Sequence, residues 1–257
     1  MKNKVKRNEN IVEHFTKRSM QYDNISLWVT NETILKRMLD FLPEDDKKYK
    51  ILDLGAGTGA VSKYILNNYK KDVEITAVDN CLSMLEKIDE QQIQIVESDV
   101  ARMPFPDHSF DVVISRQCLH YVENLDEAMS EVRRVMKKDG VFILGQIVPY
   151  DSVTAQYWNE ITQIRQPFRK WYFTAEQWNQ KLAQNNFKIL NKSICVHQGS
   201  VNMWIKKYNI TEYSLIEKYK RLLLEADYHY KQIYSVQENE DDVTYNAYWH
   251  IVKSIAF

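Results

Sequence analysis

The sequence predicts an α/β fold in which a parallel sheet is covered by helices on both faces. Three observations predict it. Between residues 50 and 146, short apolar runs alternate with segments of helical period. The first of those runs opens into a glycine cluster at the point where a helix begins. No linker rich in proline, glycine or serine divides the 257 residues, so the length fits one large domain or a domain with an insertion.

Each element follows from its pattern. Ile11, Val12 and Phe15, then Ile25, Leu27 and Trp28, then Ile34, Leu35, Met38, Leu39 and Leu42 recur at helical spacing, and the last group reads as an amphipathic helix that stops before Pro43. The runs "KILDLG", "EITAVD", "IQIVESD", "FDVVIS" and "GVFILGQ" read as buried strands. Ala60 to Tyr69, Cys81 to Ile88 and Leu125 to Met136 read as the helices between them. Such a succession requires right-handed crossovers, and ligands bind at the carboxyl ends of the strands near the switch in strand order. After Pro149 an aromatic-rich stretch reads as helical, "FKILNKSICVH" as a strand, residues 201 to 232 as further helices, and "NAYWHIVKSIAF" as a final antiparallel strand. The expected organisation is a helical segment over 1–42, a core over 43–149, and helical lid insertions with the last two strands over 150–257.

"ILDLGAGTGA", residues 51 to 60, holds three of the chain's six glycines. A strand that runs through Gly55, Gly57 and Gly59 into a helix presents bare N–H groups and the positive end of a helix dipole to a ligand. Gly55, Gly57 and Ala60 also satisfy the dinucleotide fingerprint G-x-G-x-x-G/A, and Asp79 ends the second strand at the distance of a ribose acceptor. On these features any adenosine-ribose cofactor, NAD included, remains open.

Four blocks carry a resemblance: "ILDLGAGTG" (51–59), "VDNCLSML" (78–85), "ESDVARMPFPDHSFDVVIS" (97–115) and "LHYVENLDEAMSEVRRVMKKDGVFIL" (119–144). Together the blocks resemble the class I S-adenosylmethionine-dependent methyltransferases, in particular the small-molecule subgroup of quinone- and biotin-pathway enzymes. The resemblance implies a Rossmann-like, seven-stranded, mostly parallel sheet with a helical lid, and S-adenosyl-L-methionine as cofactor. It implies that Gly55, Gly57 and Gly59 approach the methionine part of the cofactor, with Asp53 orienting that loop and Arg116 lining the same end. Asp79 would accept from both ribose hydroxyls beside Asn80, Met84 would pack on the adenine, and Asp99 with the Val100 backbone would read its edge. Cys81 stands where serine is common. The opening "EHFTKRSMQYD" is similar to the subgroup's N-terminal lid, which would place Tyr22 over the sulfonium and His14 near the mouth.

The expected activity is methyl transfer to O, N or C of a small-molecule acceptor by in-line displacement, where alignment alone supplies about 7–11 kcal/mol in the best cases. A carboxyl methyltransferase acting on a carrier-protein-bound acyl group is the variant suggested by the biotin-pathway likeness. A macromolecule methyltransferase and an NAD-binding oxidoreductase are the remaining alternatives. The balance of 34 Lys and Arg against 35 Asp and Glu argues against nucleic acid, as does "VVISRQ" where amino-methylating nucleic-acid enzymes carry N/D-P-P-Y/F. Lys2, Lys4, Lys6 and Arg7 form one basic run, expected to be a frayed terminus. Cys81, Cys118 and Cys195 have neither disulfide nor metal spacing, and no apolar stretch approaches 18 residues, so a cytoplasmic protein without a membrane span is expected.

His120 is a candidate general base because imidazole titrates near neutrality, and His14 is a second; a structural histidine is the competing reading of His120. His197 is expected to be structural. Trp158, Trp171, Tyr172, Phe173, Trp178 and Trp204 read as lid core rather than a stacking pocket, and "ENEDD" (238–242) as a solvated loop.

Overall fold

The computed structural model describes residues 2–20, 22–25, 28–208 and 212–257. Leu27 of the N-terminal apolar pattern and residues 209–211 of the expected helical stretch lie outside them. The chain opens with helices α1 (Lys2–Ser19), α2 (Tyr22–Ile25) and α3 (Glu32–Leu39). The basic run expected to fray is the first half of α1, and the side chains of residues 2–10 lie outside the description. Asn31 starts α3 by accepting the Ile34 N–H, and Ile34, Leu35 and Met38 form its buried stripe.

The alternating segment then gives β1 (Tyr49–Leu54), α4 (Ala60–Asn68), β2 (Val73–Asp79), α5 (Leu82–Leu85), β3 (Ile93–Glu97), β4 (Phe110–Arg116), α6 (Leu125–Val135) and β5 (Met136–Val148). The remainder is α7 (Ser152–Arg165), α8 (Ala175–Gln184), β6 (Phe187–Ser200), α9 (Val201–Tyr208), α10 (Tyr213–Leu224), α11 (Tyr228–Ile233), β7 (Gln237–Glu238) and β8 (Val243–Ala256). The sheet order is β3-β2-β1-β4-β5-β8-β6. The first five strands are mutually parallel, and β8 runs antiparallel to both β5 and β6. The two-residue β7 pairs with β8 as an eighth strand beyond the seven expected. It ends on Glu238, the first residue of "ENEDD", whose residues 238–241 are exposed, while Asp242 accepts from Ser200 Oγ and from the N–H of Asn202.

The strand residues alternate between two cores. Ile51, Ile75, Val112, Ile114 and Ile143 face α3, α4 and α7, whereas Leu52, Leu54, Val113, Phe142 and Leu144 face α6 and α8. Trp158, Trp178 and Trp204 are buried in these cores, and His197 accepts from the Trp249 indole N–H at 2.9 Å. Strand order reverses between β1 and β4, so the loops leaving their carboxyl ends diverge and open a cleft. Among the described residues, no helix is long and apolar enough to cross a membrane.

Candidate active site

A cavity of about 300 Å³ occupies that cleft. Its floor is the turn after β1. Gly55 and Gly57 adopt φ of +69° and +56°, a region that L-residues rarely enter. Bareness matters as much as conformation at Gly55, because a Cβ there would stand 2.2 Å from both Cβ and Sγ of Cys118. The turn is tied to the next strand, with the Gly55 and Ala56 N–H groups donating to the Val78 carbonyl at 2.8 and 2.9 Å. Gly59 does something else. It is absent from the described cavity lining and serves as the left-handed N-cap of α4, packed so closely on Ile88 that a Cβ would meet Cγ1 at 2.7 Å. Its place in this structure is the helix entry, outside the described lining.

Two carboxylates organise the loop. Asp79 ends β2, and its two oxygens accept from Gly57 N–H at 2.9 Å and Cys81 N–H at 3.0 Å. Each oxygen keeps a lone pair for a ligand. Burial pushes the Asp79 carboxyl above its ordinary range, against the pull of those amides. Asp53 lies inside β1, where one oxygen accepts from both the N–H and the hydroxyl of Ser62, at 3.1 and 2.7 Å. Burial pushes its pKa up to about 6, with the Ser62 bonds and the Arg116 charge working the other way.

Asn80, Met84, Asp99 and Val100 line the side of the cavity toward β2 and β3. Asp99 bends its own loop by accepting the Ala101 N–H at 2.9 Å. On the opposite side β4 delivers Arg116, whose Nη1 donates to the Val29 carbonyl at 2.7 Å and whose guanidinium lies 5.4 Å from the Trp28 ring centre. Burial lowers its pKa to about 10. Tyr22 of α2 also lines the cavity, beneath the Arg18 guanidinium at 5.5 Å. The neighbouring Asp23 accepts from Thr58 of the glycine turn at 2.5 Å, and Cys81 contacts Thr16 Oγ1 at 3.5 Å, so α1 and α2 are fastened to both cavity loops. The cysteine at the serine position thus meets α1.

Neither candidate base is among the described lining residues. His120 is fully buried under the sheet end, with Nδ1 donating to Gln146 Oε1 at 2.8 Å and its carbonyl accepting from Lys170 N–H. Burial, then the Arg169 charge, holds it well below the usual imidazole range. His14 accepts from Arg18 Nη1 at 2.7 Å and packs on Phe168, and burial with that cation lowers it to about 4. Both are corrected from catalytic to structural positions, because neither is among the described lining residues: His120 is held through Nδ1 by Gln146, and His14 is bound by Arg18 and covered by Phe168.

Sequence reasoning passed over Phe15, Trp28, Gln117, Cys118 and Tyr121, all of which line the cavity. For Gln117 and Cys118 a signal existed: both directly follow a strand at the expected switch in strand order.

A reversed strand order around a glycine turn, with an acidic residue ending β2, is the geometry of a nucleoside-cofactor site. Residues 52–144 match the methyltransferase domain family, and the fold is that of the class I S-adenosylmethionine-dependent methyltransferases. The chain is 26% identical over 165 residues to the uncharacterized methyltransferase YcgJ of Bacillus subtilis, covering 62% of this chain and 65% of that one. It is 31% identical over 135 residues to the malonyl-[acyl-carrier protein] O-methyltransferase of Halorhodospira halophila, covering 50% and 45%. The chain therefore matches less than two thirds of the length of either relative. A crystal structure of a putative methyltransferase from Bacillus halodurans superposes with a TM-score of 0.78 at 19% identity, over 87% of this chain and 98% of the other.

Proposed function

We propose that this chain binds S-adenosyl-L-methionine in the cleft and transfers its methyl group to a small-molecule acceptor. The observation that carries the reading is the pairing of a bare, positive-φ turn at Gly55 and Gly57 with the buried Asp79 carboxylate beside it. That pair suits a ligand with a ribose at one end and a charged amino-acid group at the other. When bound, the cofactor supplies a methyl group already activated on a sulfonium cation.

The chain's own residues would do the positioning. Asp79, held rigid by the Gly57 and Cys81 amides, has lone pairs left for the two ribose hydroxyls. Asp99, Val100 and Met84 would enclose the adenine. Asp53, Gly55 and Gly57 would set the methionine group, with Asp53 offering a negative charge to its ammonium. Arg116 and Tyr22 would border the methyl-donating end, and α1 with α2 would serve as the lid that excludes water. No histidine base enters this scheme, so the acceptor atom would be nucleophilic at its working protonation state.

A second reading, methylation of a carboxyl on a carrier-bound acyl group, is favoured by the relative named as a malonyl-[acyl-carrier protein] O-methyltransferase. Calorimetry with S-adenosylhomocysteine and with NAD tests the cofactor reading. Binding of the first and not the second is expected; the reverse overturns it. Methyl transfer from labelled cofactor in extract, followed by size separation, then tells a small acceptor from a carrier protein.

A further inference from the structure

Gln117 is the first residue past β4, and its backbone is in the left-handed region at φ +56°. Among the described residues three other non-glycine side chains share that conformation: His108, Asn186 and Ser235. All three sit in exposed turns, and two of them have protein partners, His108 Nδ1 at the Met136 carbonyl and Ser235 Oγ accepting from Asn246 Nδ2. Gln117 alone of the four is buried, at 8% exposure, and it lines the cavity. Its N–H is spent on the Gly145 carbonyl at 3.0 Å, which pins the strained backbone to β5. Neither Oε1 nor Nε2 of its carboxamide has a partner among the described residues. Strain and an unmet donor–acceptor pair therefore coincide at one cavity residue, where strain clusters at functional sites and a ligand can meet the unpaired carboxamide.

We propose that the Gln117 carboxamide reads the methyl acceptor, and that the acceptor carries a hydrogen-bond donor and acceptor side by side, as in a carboxamide or lactam, on an apolar body. The inference rests on the cofactor reading above. Along the sheet the cavity residues run from Asp99 after β3, through Asp79 on β2 and Asp53 on β1, to Gln117 between β4 and β5. A cofactor spanning Asp99 to Gly55 leaves Gln117 next in line, beyond the methionine end. The chemistry of the amide narrows the class. A carboxylate or an ester satisfies Nε2 and leaves Oε1 unpaired, an ammonium does the opposite, and a carboxamide meets both at once. Phe15, Tyr22, Trp28 and Tyr121 supply the flat walls for the apolar body.

The test uses the full chain saturated with S-adenosylhomocysteine and three probes of one shape, benzamide, benzoate and methyl benzoate, followed by ligand-observed NMR. Benzamide is expected to bind about tenfold more tightly than either of the others, because only it leaves no buried amide atom unpaired. Q117L should erase that preference while changing S-adenosylhomocysteine affinity by less than about threefold, a change too small for a lost cofactor hydrogen bond. Q117M, of similar size and without either hydrogen-bonding atom, should erase it too, which guards against a packing artefact of the leucine. Equal binding of the three probes overturns the proposal. So does a loss of S-adenosylhomocysteine affinity in Q117L and Q117M that parallels the loss of benzamide, since Gln117 then serves the cofactor's own ammonium and carboxylate. Failure of the unsubstituted chain to bind S-adenosylhomocysteine at all removes the cofactor reading and this inference with it.

Discussion

The two halves of the cleft are built on opposite terms. Where β1 and β2 end, the chain satisfies itself: glycines occupy the positive-φ positions, and both Asp53 and Asp79 accept from amides of the loops they shape. Where β4 ends, a glutamine occupies a positive-φ position, its side-chain amide has no partner among the described residues, and a buried guanidinium leans on two backbone carbonyls and an indole. The first half is preorganised before any ligand arrives, and the second is completed by one. Constant ligands suit the first arrangement and variable ones the second, which is how one cofactor site can sit beside an acceptor site of its own chemistry.

The sharpest way to break the contrast is at Gly55. Gly55→Ala forces a Cβ onto the Cys118 side chain at 2.2 Å and a non-glycine residue into φ +69°. It should cost about 3 kcal/mol or more in chemical denaturation, from overpacking and backbone strain together. Adding Cys118→Gly should return the overpacking share only. A stable single variant would mean the turn is not preorganised.

Next in size is Asp79→Asn. The amide keeps one oxygen acceptor and loses the charge, so one of the loop bonds and one of the expected ribose bonds go with it. S-adenosylhomocysteine affinity should fall about 100-fold, since charge-assisted bonds in a buried site are the strong ones. An unchanged affinity in calorimetry would place the ribose elsewhere.

These two residues also mark what was legible in the sequence. Gly55, Gly57 and Asp79 announce themselves because backbone geometry and burial force particular residue types there, and the alternation of the five parallel strands is read directly from apolar spacing. Gly59 was legible as a glycine but its helix-entry role was not, because one residue type answers both a helix entry against Ile88 and a ligand approach. His120 and His14 were misread for a different reason. An imidazole's role depends on partners distant in sequence: Gln146, 26 residues on, takes the first, and Phe168 covers the second. Gln117 had a position but no pattern, since a strained, unpaired amide exists only once β5 and the cavity are in place.

Asp53 sharpens the contrast through pH. Its carboxyl is raised from 3.8 to about 6 by burial, so the protonated form is the one that folding favours. Its contribution to stability is therefore complete below about pH 4 and lost as pH rises through about 6. A cofactor ammonium beside it reverses the preference and draws the proton off. S-adenosylhomocysteine affinity should rise between pH 5 and 7, by at most about tenfold per pH unit, with proton release visible as a buffer-dependent binding enthalpy. Asp53→Asn should flatten that dependence. A flat profile in the unsubstituted chain would detach Asp53 from the ligand.

The smallest effect separates the halves most cleanly, because it runs in the other direction. Gln117→Gly removes the left-handed strain and the unpaired buried amide together, and gives back part of the gain as extra backbone entropy in the unfolded chain. The balance should leave the variant about 1 kcal/mol more stable than the parent in urea. At Gly55 the same exchange between glycine and a side chain is strongly destabilising when made the other way, so φ alone does not set the outcome. The turn after β1 has been given the residue its geometry demands, and the turn after β4 retains one that its geometry resists. A Gln117→Gly variant less stable than the parent would show that the amide already has a partner in the folded chain. The half of the cleft after β4 would then be as self-sufficient as the half before it.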